Sequence, residues 1–529
     1  MKRPLAFLVA ALLVLTTGAA LADVRPSKTL ETGQEPFDRV AHFRQMTDLQ
    51  HRLSNVMVEL AVKAPLVVAV SADEIRAVRD GMAIEKKMRV GVVKELAVPM
   101  AFSREEIVPF RAALHQEFGA VRGAAGGAFH WTGVVRSPEA SAVRIHLTDV
   151  DLPEGAELYV QASNGMAFGP YTGKGPNGTG DFWTNTVAGA EIVLQLNAGG
   201  AGNPRFTVAG VGHMTSEFAM SRVLAPVTNA ANTKPCSFNA DCTVDAACVS
   251  TNAAVNTARD AVAHILFASG AYLYICSGGL IADSDTATRV PYFMTANHCI
   301  SRASEASSME TFFFYRASSC GACPDPGSAS TTGSSLVAGS KTSDFTLLRL
   351  SQAAPTAAAF LGWSSTPIAN TNGAALYRLS HPKGSPQAYS EHVVDTTKGT
   401  CRTWPRGNWI YSRDILGATE GGSSGSSVVN GQGQFVGQLS GGCGTNVNDV
   451  CDAQNNATVD GAFAAYFSSV QQYLGAGGGG GGCTDADGDG VCAAQDCNDN
   501  NKDVYPGHSE KGKFAHDGLD NDCNGTVDG

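Results

Sequence analysis

The chain has 529 residues, too many for one ordinary domain of roughly 100–200 residues. Its apolar fraction of 43% is enough for several cores, while 59 glycines and only 16% charged residues suit β-rich architecture better than a helical bundle. The net charge of −11 sits mostly in residues 483–529, where ten Asp and one Glu against three Lys leave −8; this argues against nucleic-acid binding and for a cation-binding tail.

The first predicted element, residues 1–22, reads as a secretory signal. Lys2 and Arg3 precede an apolar run from Leu5 to Leu15, and Ala20-Leu21-Ala22 offers a small-x-small cleavage site. The run falls short of the ~20 residues that a membrane-spanning helix needs. Residues 23–120 form a mixed segment containing helices. Within it Ser103-Arg-Glu-Glu106 is a capping box ahead of the periodic run Ile107, Phe110, Ala113, Leu114, Phe118, which predicts a helix. Residues 121–225 read as a β-sandwich: Ala142–Leu147, Glu157–Val160 and Glu191–Leu196 alternate in polarity between turn-forming stretches. A break rich in Ala, Asn, Thr and Pro runs from Leu224 to Pro235.

Residues 236–474 hold ten of the fourteen cysteines, and the tail holds the other four, so both sets can pair completely in an oxidising compartment. Cys320-Gly-Ala-Cys323 has no second Cys or His pair at zinc-site spacing. His264–Cys276 predicts two strands joined at Ser269-Gly270. Phe463, Tyr466, Phe467, Val470, Tyr473 and Leu474 predict a closing helix ended by Gly475. Residues 475–482 are a glycine linker, and 483–529 are the acidic tail.

Three motifs in the cysteine-rich region carry chemistry. Phe293-Met-Thr-Ala-Asn-His-Cys299 is an apolar strand ending in a His. Ser343-Asp-Phe-Thr-Leu-Leu-Arg-Leu350 is an Asp opening an alternating strand. Gly421-Gly-Ser-Ser-Gly-Ser426 is a glycine-rich turn around two serines. A serine hydroxyl becomes a nucleophile only when an imidazole takes its proton, and a carboxylate must hold that imidazole in the right tautomer. The residues fit those roles as Ser424 (nucleophile), His298 (general base and acid) and Asp344 (orienter). The backbone N–H groups of Gly422 and Ser424 fit as oxyanion donors. Catalysis of this kind needs no cofactor.

These motifs, with Cys276-Ser-Gly-Gly-Leu-Ile281, Ser380-His-Pro382 and Gly437-Gln-Leu-Ser-Gly-Gly442, resemble those of bacterial lysyl endopeptidases, a branch of the trypsin/chymotrypsin-like serine proteases. The resemblance covers about 236–474 and implies a mainly β fold of two six-stranded barrels with the site in the cleft between them. It selects Ser424 over Ser423, because the nucleophile directly precedes Gly425. It also implies disulfides Cys276–Cys299 and Cys236–Cys443, and a pairing of Cys242 with Cys320 or Cys323.

A cationic side chain in a buried pocket needs an opposite charge. Where trypsin-like enzymes carry a pocket Asp, six residues before the nucleophile, this chain has Ala418; the Gly444-Thr-Asn-Val-Asn-Asp449 stretch resembles the lysyl endopeptidase pattern and makes Asp449 the candidate. Ser440 and Gly441 fall in the strand lining the cleft, and Trp404 is a candidate aromatic wall. Ser440 stands where the family has a His, and Ser427 where it has a Pro, which leaves Lys against Arg preference open. The region before the protease is expected to be a propeptide plus accessory domain, with a permanent binding domain as the alternative.

In the tail, Asp485, Asp487 and Asp489 occupy positions 1, 3 and 5 of an EF-hand-type loop, with Gly490 at the turn, Val491 offering a carbonyl and Asp496 at position 12. Asp499, Asn501 and Asp503 repeat the alternation, as do Asp520, Asp522 and Asn524. The tail resembles the Asp-rich metal-binding repeats of bacterial surface proteins, and hard oxygen donors favour Ca²⁺. The expected whole is a secreted, monomeric endopeptidase acting on protein or peptide substrates, with cell-surface or matrix anchoring through the tail. The competing reading is a catalytically inactive protease fold serving calcium-dependent adhesion.

Overall fold

Alternating polarity and frequent glycine turns produce strands along most of the computed structural model, which describes residues 25–59, 65–82, 87–103, 114–115, 118–162, 166–199, 202–215, 239–250, 252–323, 327–401, 404–475, 497–498, 500–505, 514, 516–521 and 527. The signal stretch 1–22 lies outside them. Residues 1–470 form one compact unit and 471–529 a second.

The N-terminal part of the first unit begins with β1 (Ser27–Lys28), α1 (Arg39–Ser54), α2 (Ala72–Met82) and the long strand β2 (Met88–Ser103). Asp38 caps α1 by accepting from the Ala41 N–H at 2.9 Å. β3 (Ala120–Gly123), β4 (Phe129–Arg136), β6 (Ala156–Ala162) and β7 (Glu191–Ala198) belong to one sheet; β5 (Ala142–Asp151), β8 (Arg205–Met214) and β2 belong to the facing one. Their inner faces share a core that includes Trp131, Ile145, Leu158, Leu194, Phe206 and Val211, all essentially inaccessible to water. The helix expected after Ser103 is not carried to its end. Leu114–His115 is a short strand paired with Ala120 and Val121, and extended pairing replaces the helical period there; residues 104–113 lie outside the described residues.

The second part holds two closed barrels. In the first, β9 (Val262–Ser269), β10 (Tyr272–Leu280), β11 (Tyr292–Ala296), β12 (Glu310–Phe313), β13 (Ala329–Thr332) continued by β14 (Ser334–Ser340), and β15 (Phe345–Leu350) close a ring in the order β9-β10-β11-β15-β14/β13-β12. The second follows the short strand β16 (Gly362–Ser364). There β17 (Ala375–Ser380), β18 (Ala388–Val394), β19 (Trp409–Leu416), β20 (Ser427–Val429), β21 (Gln434–Gly444) and β22 (Asn456–Ala462) close in the order β21-β20-β17-β18-β19-β22. Each ring is antiparallel and six-stranded, the chymotrypsin-like architecture, and closure removes exposed strand edges. The closing helix α3 (Phe463–Val470) follows β22 directly and packs Phe463 and Phe467 against Trp363.

The N-terminal part is joined to both barrels by strand addition: β1 pairs with β16, and β2 pairs with β10. A polar cluster reinforces the junction. The fully buried Glu310 of β12 accepts from the Thr186 N–H (2.9 Å), Thr186 Oγ1 (2.6 Å) and Asn185 Nδ2 (2.9 Å). Burial raises its pKa, and the charge of the nearby buried Arg144 opposes that rise.

The disulfides correct two expectations. Cys276–Cys299 is present. Cys443 is joined to Cys401 rather than to Cys236, because the turn before Trp404 brings Cys401 to a Cα distance of 5.8 Å from it; Cys236 lies outside the described residues. Cys242 is joined to Cys451, 209 residues away, rather than to Cys320 or Cys323; Cys320 is taken by Cys248 at a Cα distance of 4.4 Å.

Candidate active site

His298 sits in the turn that leaves β11, one residue before the cysteine bonded to Cys276. Asp344 immediately precedes β15, the strand paired with β11, so the sheet itself brings the two together. His298 Nδ1 lies 2.8 Å from Asp344 Oδ2, and the His298 backbone N–H donates to Asp344 Oδ1, also at 2.8 Å. One carboxylate therefore fixes both the ring and the main chain of the histidine. Burial opposes ionisation of Asp344. The ring hydrogen bond and charge of His298, the Ser440 hydroxyl and the His298 amide together outweigh it and hold the carboxyl below its ordinary value. Ser440 is buried and faces this carboxylate, although its oxygen makes no hydrogen bond of normal geometry.

Asp344 adopts φ 53°, a left-handed conformation that costs a non-glycine residue free energy and persists only when its surroundings enforce it. Here its carbonyl accepts from the Asn297 N–H and from Gln438 Nε2, both at 3.0 Å. Gln438 also donates to the Ser343 carbonyl at 3.1 Å, and its Oε1 accepts from the phenolic hydroxyl of Tyr466, carried by α3. The last helix thus braces the main chain of Asp344 through one glutamine.

Ser424 comes from the second barrel, in the turn ahead of β20. Its carbonyl accepts from the Ser277 N–H at 2.8 Å, next to the Cys276–Cys299 bridge that ends beside His298. Gly425 must be glycine on two counts: its φ is 78°, and a Cβ there would lie 2.2 Å from Thr295 Oγ1 and 2.7 Å from the Ala296 nitrogen. The residue after Ser424 is therefore packed against the strand that delivers His298. Gly422, at φ 93°, turns the chain so that its carbonyl accepts from Ser277 Oγ (2.9 Å). The Lys383 N–H donates to the Gly421 carbonyl at 2.6 Å, and Lys383 Nζ pairs with the buried Glu420 carboxylate at 2.7 Å, bracing the turn from outside. Ser424, His298 and Asp344 are all largely shielded from water.

Trp404 and Gly441 come together, the ring edge lying 3.8 Å from where a Gly441 Cβ would stand, and Trp404 stacks on Trp409 with ring centres 4.9 Å apart. Asp449 is not drawn into a buried pocket. It is exposed on the loop between β21 and β22, where Oδ1 accepts from the Cys451 N–H at 3.0 Å and its carbonyl accepts from Asn456 Nδ2 at 2.9 Å. Ala418 is buried.

The sequence reading missed three buried arrangements. Gln438 and Tyr466 brace Asp344, as described. Arg378 pairs with Asp460 at 2.6 Å with both side chains fully buried, and its Nη1 donates to the Ser426 carbonyl at 3.1 Å, two residues past the nucleophile candidate. Ser390, His392 and Asp414 form a second relay, with Ser390 Oγ 2.7 Å from His392 Nε2 and His392 Nδ1 2.7 Å from Asp414 Oδ1. Its hydroxyl and ring are buried within the second barrel and cannot meet a peptide, so the relay ties β18 to β19. All three join residues distant in sequence, which local patterns do not reveal.

In the tail, Asp485, Asp487, Asp489, Val491, Asp496, Asp499, Asp522 and Asn524 lie outside the described residues. Asn501 Oδ1 accepts from the Asp503 N–H at 3.3 Å, and Asn521 Nδ2 donates to the Asp503 carbonyl at 2.7 Å. Among the described residues no group of three or more His, Cys, Asp or Glu is placed to hold a metal ion, and no helix is long and apolar enough to cross a membrane.

Residues 238–460 match the family model described as "Lysyl endopeptidase, C-terminal domain", and residues 496–529 match one described as "Putative metal-binding motif". The lysyl endopeptidase of Pseudomonas aeruginosa is 29% identical over 317 residues, which cover 57% of this chain and 64%, less than two thirds, of that protein. Among solved structures, a protease from M. tuberculosis in its active form aligns over 49% of this chain and 96% of its own at 16% identity and a TM-score of 0.30. An inactivated protease paralogue from the scabies mite aligns over 41% and 94% at 11% identity and a TM-score of 0.31.

Proposed function

We propose, from the lysyl endopeptidase family match over residues 238–460 as premise, that this chain is a secreted serine endopeptidase cutting peptide bonds after lysine. The observation that carries the reading is the doubly bonded His298–Asp344 pair, with the glycine-framed turn of Ser424 packed onto the strand that delivers the histidine. His298 Nε2 removes the Ser424 proton as the hydroxyl oxygen attacks the scissile carbonyl. Asp344 keeps Nδ1 protonated and stabilises the imidazolium that forms. The N–H groups of Gly422 and Ser424 stabilise the oxyanion. The imidazolium then gives its proton to the departing amine, leaving an acyl-enzyme on Ser424 Oγ, and water activated by the same imidazole releases the acid.

Asp449 is proposed as the lysine-recognising carboxylate, supported by its place in the Gly444–Asp449 stretch and by the Cys242–Cys451 bond that anchors its loop. The residues before the protease are proposed as a prosegment, supported by their strand pairing with both barrels. The metal-binding motif of the tail is proposed to take Ca²⁺, supported by a donor set of carboxylate, amide and carbonyl oxygens. Secretion is supported by the disulfides.

The test is a fluorophosphonate label on the wild type, Ser424→Ala and His298→Ala, followed by cleavage profiling on Lys, Arg and uncharged peptides. Labelling confined to chains with Ser424 is expected; equal labelling of Ser424→Ala would defeat the reading.

A further inference from the structure

The start of β2 lies beside the nucleophile in the polarity of a substrate. β2 and β10 run antiparallel, with Val92 opposite Tyr272, Gly91 opposite Leu273, Arg89 opposite Tyr274 and Met88 opposite Ile275. From Ile275, β10 continues to Cys276, bonded to the neighbour of His298, and to Ser277, whose N–H binds the Ser424 carbonyl. Moving upstream along β2 is therefore moving toward the catalytic serine. The paired register ends at Met88 opposite Ile275, one residue before Cys276 and two before Ser277. On the protease reading, residues from Met88 onward run away from Ser424 as the residues after a cut bond would.

Both side chains there are held. The Met88 sulfur lies 3.7 Å, and its Cβ 3.9 Å, from where a Gly421 Cβ would stand, which puts Met88 against the oxyanion turn. Lys87 Nζ pairs with Glu305 Oε1 at 3.0 Å, donates to Ser269 Oγ at 3.1 Å and sits 4.5 Å over the Tyr274 ring. The Glu305 side chain is only 5% exposed, so the ion pair is well shielded. Arg89 lies 3.8 Å over the Tyr272 ring and donates to the Ala77 carbonyl at 2.9 Å, clamping the strand to α2.

We propose that Lys87, Met88 and Arg89 act as an intramolecular inhibitor that fills the leaving-group side of the cleft. The contacts holding them are those by which the enzyme selects a cation, then an apolar residue, immediately after the bond it cuts. The inference rests on the protease reading above and deepens it. In sequence the bond before Lys87 follows Lys86, a lysine as that reading requires.

The test uses the full chain carrying Ser424→Ala, which cannot process itself, and a fluorescent peptide with Lys followed by Lys-Met. Binding is read by anisotropy in this chain, with Met88→Glu added, and with Lys87→Glu added. Circular dichroism and thermal midpoints check folding, and Lys87→Glu serves if Met88→Glu does not fold. Either substitution is expected to tighten binding at least tenfold by freeing the cleft. Equal affinity in folded chains with and without the substitutions overturns the proposal. A wild-type chain that hydrolyses no lysyl ester, even with Met88→Glu, overturns the protease reading itself.

Discussion

Acid should loosen the first unit well before its carboxylates titrate, because two histidines are buried without charge behind the turn that carries Ser424. His381 is fully buried, stacks on Tyr315 with ring centres 5.6 Å apart, and lies edge-on to His264 at 5.5 Å. Burial lowers its pKa to about 4, against the raising effect of its hydrogen bond to the Ser385 carbonyl. Burial, and then the His381 charge, push His264 well below the ordinary value, and neither of its ring nitrogens has a hydrogen-bond partner. A neutral histidine whose folded pKa is depressed gives stability that is complete above the unfolded value near 6.5. That stability is lost as pH falls, because the unfolded chain takes up the proton first. From 6.5 to about 4, at about 1.36 kcal/mol per pH unit, the loss from His381 is about 3 kcal/mol, and His264 adds in the same direction. The damage is local to the site: the Ser277 hydroxyl bonds both the His381 N–H and the Gly422 carbonyl. The assay is urea unfolding followed by tryptophan fluorescence at pH 7, 6, 5 and 4, on the wild type and on His381→Asn, which keeps a donor toward Ser385 but cannot be protonated. The stability gap between the two should shrink by about 3 kcal/mol over that range. Parallel pH curves would refute the reasoning, since carboxylates shared by both chains cancel in the difference.

Asp344→Asn should leave the thermal midpoint nearly unchanged and lower kcat on a lysyl ester by about 10⁴-fold, because the amide cannot hold the required tautomer. Tyr466→Phe strips the donor from the buried Gln438 Oε1, so a loss of about 1–3 kcal/mol in unfolding free energy is expected, with kcat falling more than KM rises. Asp449→Asn should cut kcat/KM for lysine peptides by about tenfold or more while uncharged peptides change little. Glu310→Ala leaves Thr186, Asn185 and Arg144 without their shared partner, and limited proteolysis should release the N-terminal part faster, for a loss of about 3–5 kcal/mol. Adding Ca²⁺ at about 100 times its Kd should stabilise the tail by about 2.7 kcal/mol, read as slower proteolysis that a chelator reverses.

The hairpin over His264–Cys276 was legible because two apolar runs meet at the Ser269-Gly270 turn, and both strands are buried along most of their length. The two-barrel fold was legible through motif resemblance, since each motif marks the end of a particular strand. The run after Ser103 misled, because its helical spacing is local while the pairing of Leu114 with Val121 is decided by a neighbouring strand. Cysteine partners were misassigned for a related reason: Cys242 and Cys451 are 209 residues apart and meet only after the second barrel closes. His298 and Asp344 were readable as residue types in order. The brace on Asp344 was not, because Gln438 looks like any polar residue of a strand until its amide is found between two carbonyls and a tyrosine.

The junction between the N-terminal part and the barrels combines apolar, polar and strand-pairing contacts. Part of it is an apolar core: Val90, Val92, Trp183 and Met214 of the N-terminal part pack with Leu266, Leu273, Ile275 and Phe312 of the first barrel, and removing the N-terminal part would expose that face. Beside that core lies the buried carboxylate of Glu310, whose charged form burial disfavours and which water would hydrate once the N-terminal part left. Lys87 and Glu305 behave alike, since both regain hydration when parted. Strand pairing at β10 likewise exchanges its hydrogen bonds for those of an incoming peptide. The polar and strand-pairing contacts are ones that water or substrate can replace, whereas the apolar contacts are not.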